Sequence, residues 1–232
     1  MTHDLLNIFG GGEMGQQGYR ILSSKATDRY GAFKTVRIFD DHLKAARPTH
    51  WEGLQVDACL DFSEWLTADV TSGVSVVGVG YHHLPLRQIM VNELSSRGAI
   101  LANQVHHSVI LADIGFLERS EVGEDVVGVS LYPGVVIDFN VRVRSGVVVN
   151  VGARICHDTT VGESSFIGPG VTICGRVNIG QRCFVGAGST LRNGISIGDD
   201  VHIAMGSIVT ADVLSRQSVA GNPARVVKSI SP

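Results

Sequence analysis

The sequence predicts a two-part chain: a small α/β unit with a parallel sheet, followed by a triangular prism of short parallel strands. Three observations predict it. Over the first hundred residues, short apolar runs alternate with amphipathic stretches. After about residue 105 lysine nearly vanishes, only Lys228 remaining. From Leu131 to Val209 a Leu, Ile or Val recurs at every sixth position without one insertion.

Composition narrows the function classes. A net charge of −3 argues against a nucleic-acid partner, because neutralising phosphates requires a basic surface. No apolar run reaches the ~18 residues of a membrane-spanning helix, so no membrane insertion is expected. The segment Met1–Phe9 has neither the basic start nor the long apolar core of a signal peptide. The four cysteines, Cys59, Cys156, Cys174 and Cys183, form no CxxC pair and no short framework, which disfavours a zinc ribbon or a disulfide scaffold and leads to the expectation of a reduced, cytoplasmic protein.

The first part, residues 1–104, reads as a small Rossmann-like βαβαβ domain. Leu5 to Phe9 is a short buried strand, followed by Gly10-Gly11-Gly12-Glu13-Met14-Gly15 and a helical stretch through Ile21 to Ser24. Val36 to Phe39 is a second strand, ending at Asp40-Asp41, and Val74 to Val79 a third, ending at Gly80. Pro85 suits the first turn of a helix carrying Leu86, Ile89, Met90 and Leu94. Ile100-Leu101 is the last strand. Strands alternating with helices imply parallel pairing with crossovers.

The second part, residues 105–214, follows a different period. Its anchors are Leu131, Ile137, Val143, Val149, Ile155, Val161, Ile167, Ile173, Ile179, Val185, Leu191, Ile197, Ile203 and Val209. Four residues after each comes another small or apolar residue, from Val135 to Val213. A period of six fits neither a helix nor a flat two-faced strand; it fits a coil in which six residues make one side plus a corner. Three sides close a coil of eighteen residues, and coils stack at ~4.8 Å. Glycines near the corners let the chain bend. Cys156 and Cys174, eighteen apart, belong on adjacent coils as packed thiols. The end coil needs covering, and residues 215–232 are expected to form a C-terminal cap.

With these motifs in view, the chain resembles the hexapeptide-repeat acyltransferases, which implies that the β-helix is left-handed. Within them it is similar to bacterial sugar acetyltransferases that carry a small nucleotide-binding domain in front, of the sialic acid O-acetyltransferase and nucleotide 4-amino-sugar N-acetyltransferase types. The likeness rests on the Gly10–Gly15 run, Phe39-Asp40-Asp41, Val79-Gly80-Tyr81, Asn150, Ile155-Cys156-His157-Asp158, Gly168-Pro169-Gly170, Ile173-Cys174-Gly175 and Ser218 through Arg225.

The resemblance implies transfer of an acetyl group from acetyl-CoA to the amino group of a UDP- or dTDP-linked 4-amino-deoxysugar, in surface-polysaccharide synthesis. It implies a homotrimer with active sites between subunits, and no metal. His157, two residues after an anchor, is outward-facing and is the expected general base; a neutral imidazole can take a proton at pH 7. Asp158 is the matching acidic partner, although adjacent side chains need not face the same way. Gly175, Ala187 and Met205 match positions whose backbone lines the acetyl-CoA groove. Gly10, Gly12, Glu13, Met14, Gly15, Asp40, Asp41, Gly80 and Asn150 match substrate-binding positions; the glycine run alone suits any nucleotide, including NAD. Arg225 and Lys228 either meet the phosphates of CoA or form a solvated basic tail. Phe166 departs from the pattern, since some relatives carry a second histidine there, and Tyr81-His82-His83 opens a longer stretch than the simplest family pattern has.

The alternative within the superfamily is O-acetylation of a sialic acid or another surface sugar. A γ-type carbonic anhydrase uses the same prism but needs three histidines around zinc. Between Leu131 and Val209 the prism has only His157 and His202, whose spacing is not a whole number of coils. A trimeric scaffold or nucleotide sensor without catalysis is the third possibility.

Overall fold

A computed structural model of the protein describes residues 4–24, 32–112 and 125–229. The first three and last three residues of the sequence, which belong to the N-terminal segment and the cap read above, lie outside the described residues. The chain divides into two compact units, Met1–His107 and Ser108–Pro232.

The first unit is built on a six-stranded sheet. Its elements are β1 (Leu5–Phe9), α1 (Glu13–Leu22), β2 (Thr35–Phe39), α2 (Asp41–Ala46), β3 (His50–Trp51), β4 (Leu54–Leu60), β5 (Val74–Val77), α3 (Leu84–Ser96) and β6 (Ile100–Leu101). The order is β3-β4-β2-β1-β5-β6. All pairs are parallel except β3 with β4. Leu6, Ile8, Val36, Ile38, Val74 and Val76 form the buried centre, with Leu22, Trp51 and Leu54 packed on it. Each such side chain contributes about 1.5–3 kcal/mol by leaving water.

Sequence reading found β1, α1, β2, β5, α3 and β6. The third strand stops at Val77 rather than Val79, because Gly78 packs against the loop after β1. A Cβ on Gly78 would lie 2.3 Å from the Gly10 carbonyl oxygen, and one on Gly15 would meet the same oxygen at 2.3 Å. This three-glycine contact sets the loops at the carboxyl ends of β1 and β5. Arg87 of α3, fully buried, supports the far side by donating from Nη1 to Val77 O at 2.6 Å and to Val79 O at 3.1 Å.

The second unit is the prism. One wall stacks Ile110–Leu111, Val136–Ile137, Arg154–Ile155, Thr172–Ile173, Thr190–Leu191 and Ile208–Val209. The second stacks Arg142–Val143, Thr160–Val161, Asn178–Ile179 and Ser196–Ile197. The third stacks Ser130–Leu131, Val148–Val149, Phe166–Ile167, Phe184–Val185 and His202–Ile203. Gln217–Gly221 extends the third wall and Ala224–Ser229 folds back on it antiparallel. Within the stacks, partners on successive coils are eighteen residues apart, as Ile137 with Ile155 and Ile155 with Ile173. All fourteen anchors are 3% exposed or less, so they fill the axis.

The residue four after each anchor is also buried, and Thr159, Ser165, Cys183 and Ser189 bond from there to the next coil. Ser165 Oγ donates to Gly180 O at 2.8 Å and accepts from Cys183 N–H at 2.9 Å. The corners refine the expectation about glycine. Every sixth residue from Gly134 to Gly206 has a left-handed backbone, and of these thirteen, six are not glycine: Asn140, Asp158, Ser164, Arg176, Arg182 and Asp200. The glycines directly after anchors are not the bends. They let coils stack closely: a Cβ on Gly186 would lie 2.4 Å from Met205 N.

Candidate functional site

At the corner between the first and second walls, Ile155 points inward and the chain then turns through His157 and Asp158. Asp158 is the left-handed residue, with φ 57°. This conformation brings its carboxylate back beside its neighbour: His157 Nδ1 and Asp158 Oδ2 are 2.9 Å apart. The Asp158 carboxyl is held below the usual carboxylate range, first by this bond and then by one from Asn140, with the charge of Arg176 adding to it. An ionised carboxylate only accepts, so Nδ1 carries the proton and donates it. In the neutral ring the lone pair is then on Nε2, and 44% of the side chain is open to solvent.

Two further residues complete the corner. Asn140 Nδ2 donates to Asp158 Oδ1 at 2.7 Å from the coil beneath. On the coil above lies Gly175, where a Cβ would stand 2.6 Å from His157 Nε2 and 2.7 Å from Cε1. Gly175 has no left-handed backbone, so what demands glycine there is the imidazole lying over it. Within this chain the space over Gly175, a position matched to the acetyl-CoA groove, is taken by the His157 ring. Backbone bonds tie the three coils, from Asp158 N–H to Phe139 O and from Arg176 N–H to His157 O, at 3.1 and 2.9 Å.

Ala187 and Met205 stand one above the other at the opposite edge of the first wall, together with Val151 and Pro169. Met205 is 78% exposed and Val151 50%, so this corner is an open apolar stripe. Asn150 lies at that edge too, its Oδ1 accepting from Val151 N–H at 2.7 Å. Within one chain, then, Gly175 joins His157, whereas Asn150, Ala187 and Met205 are across the wall from it. Phe166 faces outward on the third wall and stacks on Phe184, which stacks on His202, with ring centroids 5.7 and 4.7 Å apart. The bulge in the C-terminal hairpin aligns Arg225 with Ala220 and Lys228 with Ser218, so the two cations share one face. Cys156 and Cys174 are free thiols.

In the α/β unit, Gly10, Asp40, Asp41 and Gly80 line one cavity of about 370 Å³, with Phe62 and His83. It opens at the carboxyl ends of β1, β2 and β5, where the strand order reverses; open α/β sheets bind ligands at this point. Asp40 uses both carboxylate oxygens on backbone N–H groups, those of Gly11 at 2.9 Å and Leu43 at 3.0 Å. Asp41 Oδ1 accepts from Phe62 N–H at 2.8 Å. Gly12 and Glu13 are exposed at the start of α1, Gly15 is buried, and Met14 lies beside Gly80.

Sequence reading missed Asn140, Phe62 and Arg87. Asn140 was findable, since it stands one coil length before Asp158. Among the described residues no group of three His, Cys, Asp or Glu side chains gathers to hold a metal, and no helix is long and apolar enough to cross a membrane.

Residues 176–211 match the family model described as hexapeptide repeat of succinyl-transferase. No curated protein sequence matches the chain. Among solved structures, PerB from Caulobacter crescentus, in complex with CoA and GDP-perosamine, superposes with a TM-score of 0.77 at 24% identity, over 98% of this chain and 99% of that one. The acetyltransferase domain of PglB from Neisseria gonorrhoeae gives 0.80 at 19%, over 97% and 100%. WeeI from Acinetobacter baumannii gives 0.76 at 19%, over 96% and 99%.

Proposed function

From the premise that this chain carries hexapeptide repeats, on an α/β unit plus left-handed β-helix fold shared end to end with these proteins, we propose that it is an acetyl-CoA-dependent N-acetyltransferase acting on a nucleotide-linked 4-amino-deoxysugar. The observation that carries the reading is the His157–Asp158 pair, an outward imidazole with Nδ1 committed and Nε2 free. As the amine attacks the thioester carbonyl it must lose a proton, which Nε2 takes; the C–S bond then breaks and the CoA sulfur leaves as the thiol with that proton. Asp158 keeps Nδ1 protonated and stabilises the imidazolium that forms. Bound acetyl-CoA supplies the acetyl group as a thioester. The backbone at Gly175, Ala187 and Met205 would hold it, and the exposed apolar stripe of Val151, Pro169, Ala187 and Met205 suits its pantetheine arm.

That stripe and the imidazole stand at two different corners of one prism. A second copy that sets its stripe against the His157 corner of the first would unite them, which supports a closed homotrimer with three identical seams. The cavity at Gly10, Asp40, Asp41 and Gly80 would take the nucleotide of the acceptor, with residues 1–104 as the nucleotide-sugar domain, 105–214 as the acyltransferase domain and 215–232 as its cap. UDP and dTDP sugars are the first candidates, and GDP-perosamine, present in the PerB structure, joins them. A cytoplasmic site of action accords with both substrates.

The test is incubation of the purified protein with acetyl-CoA and a panel of UDP-, dTDP- and GDP-linked 4-amino sugars, read by product mass and thiol release. Acetylated amine is expected from the wild type, with turnover reduced about 10²–10⁴-fold in His157→Ala. Turnover of free or CMP-linked sialic acid with no acetylated amino sugar would replace this reading by the O-acetyl one. A folded, trimeric His157→Ala with full activity would remove the base.

A further inference from the structure

We propose that Asn140 is a positioning residue for this reaction: from the coil beneath, its amide fixes the Asp158 carboxylate and, through it, the tautomer and direction of the His157 ring. The assignment rests on the reading of His157 as the base.

The geometry is a consequence of the coil length. Residues 140 and 158 are one coil apart and both are left-handed corners, with φ 53° and 57°, so their side chains leave the backbone in parallel. The carboxylate has no proton to give, so the amide nitrogen of Asn140 must face it, at 2.7 Å. Asp158 is 42% open to solvent, and a short carboxylate on an exposed corner held by one bond would swing. Two holds, Oδ1 to Asn140 and Oδ2 to His157, fix its plane. The groups facing Asp158 are then His157 on its own coil, Asn140 beneath and the Arg176 charge above.

A left-handed corner suits asparagine as it suits glycine, but the backbone does not account for the bond that its amide makes to Asp158. Seven of the thirteen corners use glycine, and serine, arginine and aspartate serve at others. A corner at 140 requires only a left-handed residue; an amide donor there is additional, and it points at the partner of the base.

Two substitutions at 140 separate shape from hydrogen bonding. Asn140→Gly removes the amide while keeping a residue native to these corners, and Asn140→Asp keeps the shape while replacing a donor by an anion. The decisive measurement is the imidazole ¹⁵N spectrum of His157 in the full-length protein at alkaline pH, with the pH profile of kcat/KM beside it. The wild type is expected to show the Nδ1–H tautomer and Asn140→Gly a mixture. Turnover of Asn140→Gly should fall about tenfold with KM for acetyl-CoA unchanged, as for other partners that orient a working histidine. Asn140→Asp should move the acid limb of the profile to higher pH, because an added negative charge favours imidazolium. Unchanged tautomer and unchanged profile in both variants, whatever their melting temperatures, would overturn the assignment. A tautomer that shifts in Asn140→Gly while the wild type acetylates no amino sugar would leave the hold of Asn140 on the His157 ring standing and sink the proposed reaction, and with it the positioning role in that reaction.

Discussion

Replacing Gly175 by alanine should disable the site while leaving the prism folded. The added Cβ would stand 2.6 Å from His157 Nε2 and 2.7 Å from Cε1, where ordinary contact begins at 3.4 Å. The ring edge must therefore retreat by roughly 0.8 Å. Stretching the 2.9 Å bond from Nδ1 to Asp158 by that amount carries it beyond hydrogen-bonding range, so the imidazole loses its partner or its aim. A misplacement near 1 Å at a reacting group costs about 100-fold in rate. The backbone at 175 is not left-handed, so alanine brings no conformational strain. The half-exposed ring can yield outward, which keeps the stability cost near ~1 kcal/mol, the low end for overpacking. Initial rates of thiol release, with a thermal melt as control, read both quantities. A double-mutant cycle locates the cause: in His157→Ala the new methyl meets no ring, so Gly175→Ala should add little. A folded Gly175→Ala with kcat within about twofold of wild type would refute the contact argument. A loss equally large in the His157→Ala background would show that Gly175 acts on the acyl arm independently of the ring.

Three other outcomes test the fold. Ile173→Ala, at a fully buried anchor, should cost about 2–5 kcal/mol in urea unfolding, whereas Thr172→Ala, one residue away and facing outward, should stay within about 0.5 kcal/mol. Asp69 accepts from Thr71 Oγ1, Thr71 N–H and Ser72 Oγ, which lowers its pKa to about 2. Its stabilising contribution is present above the unfolded carboxylate pKa and is lost as pH falls through about 2; melting temperature against pH should be flatter over that window in Asp69→Asn. Burial pushes the Cys183 thiol up to about 12, so a disulfide reagent at pH 8 should leave it unmodified until the protein is unfolded.

Much of this architecture is legible because its period is imposed by packing. An anchor every sixth residue points at the axis, and in the prism all fourteen are buried. Corner identity is less legible, because the left-handed positions tolerate Asn, Asp, Ser and Arg as well as glycine. The conspicuous glycines after the anchors answer a different demand, the close stacking of coils. In the α/β unit, the mainly apolar runs of β1, β2 and β5, interrupted only by Asn7, Arg37 and Ser75, identify themselves. The alternation Leu54, Val56, Ala58, Leu60 in β4 carried a usable signal that the flanking polar residues obscured. Helix α2 is short and has no buried residue, so no hydrophobic period marks it; only Asp40, whose Oδ1 accepts from Leu43 N–H at 3.0 Å, announces its start.

The site shows the same division. His157 is identifiable from its motif, but whether Asp158 faces it depends on the backbone between them. Along an extended strand, neighbouring side chains diverge to opposite faces. At φ 57° the aspartate turns back, and the pair closes at 2.9 Å. The corner that the prism needs in order to bend is therefore also what pairs acid with base. It follows that the partners of the pair are found by counting coils rather than by searching nearby sequence. One coil back is Asn140, bonded to the carboxylate; one coil forward of the imidazole is Gly175, cleared to receive it. The eighteen-residue coil that builds the walls thus also lines up the groups of the site, and a side-chain change at 140 or 175 should be felt at His157 even though neither residue is near it in sequence.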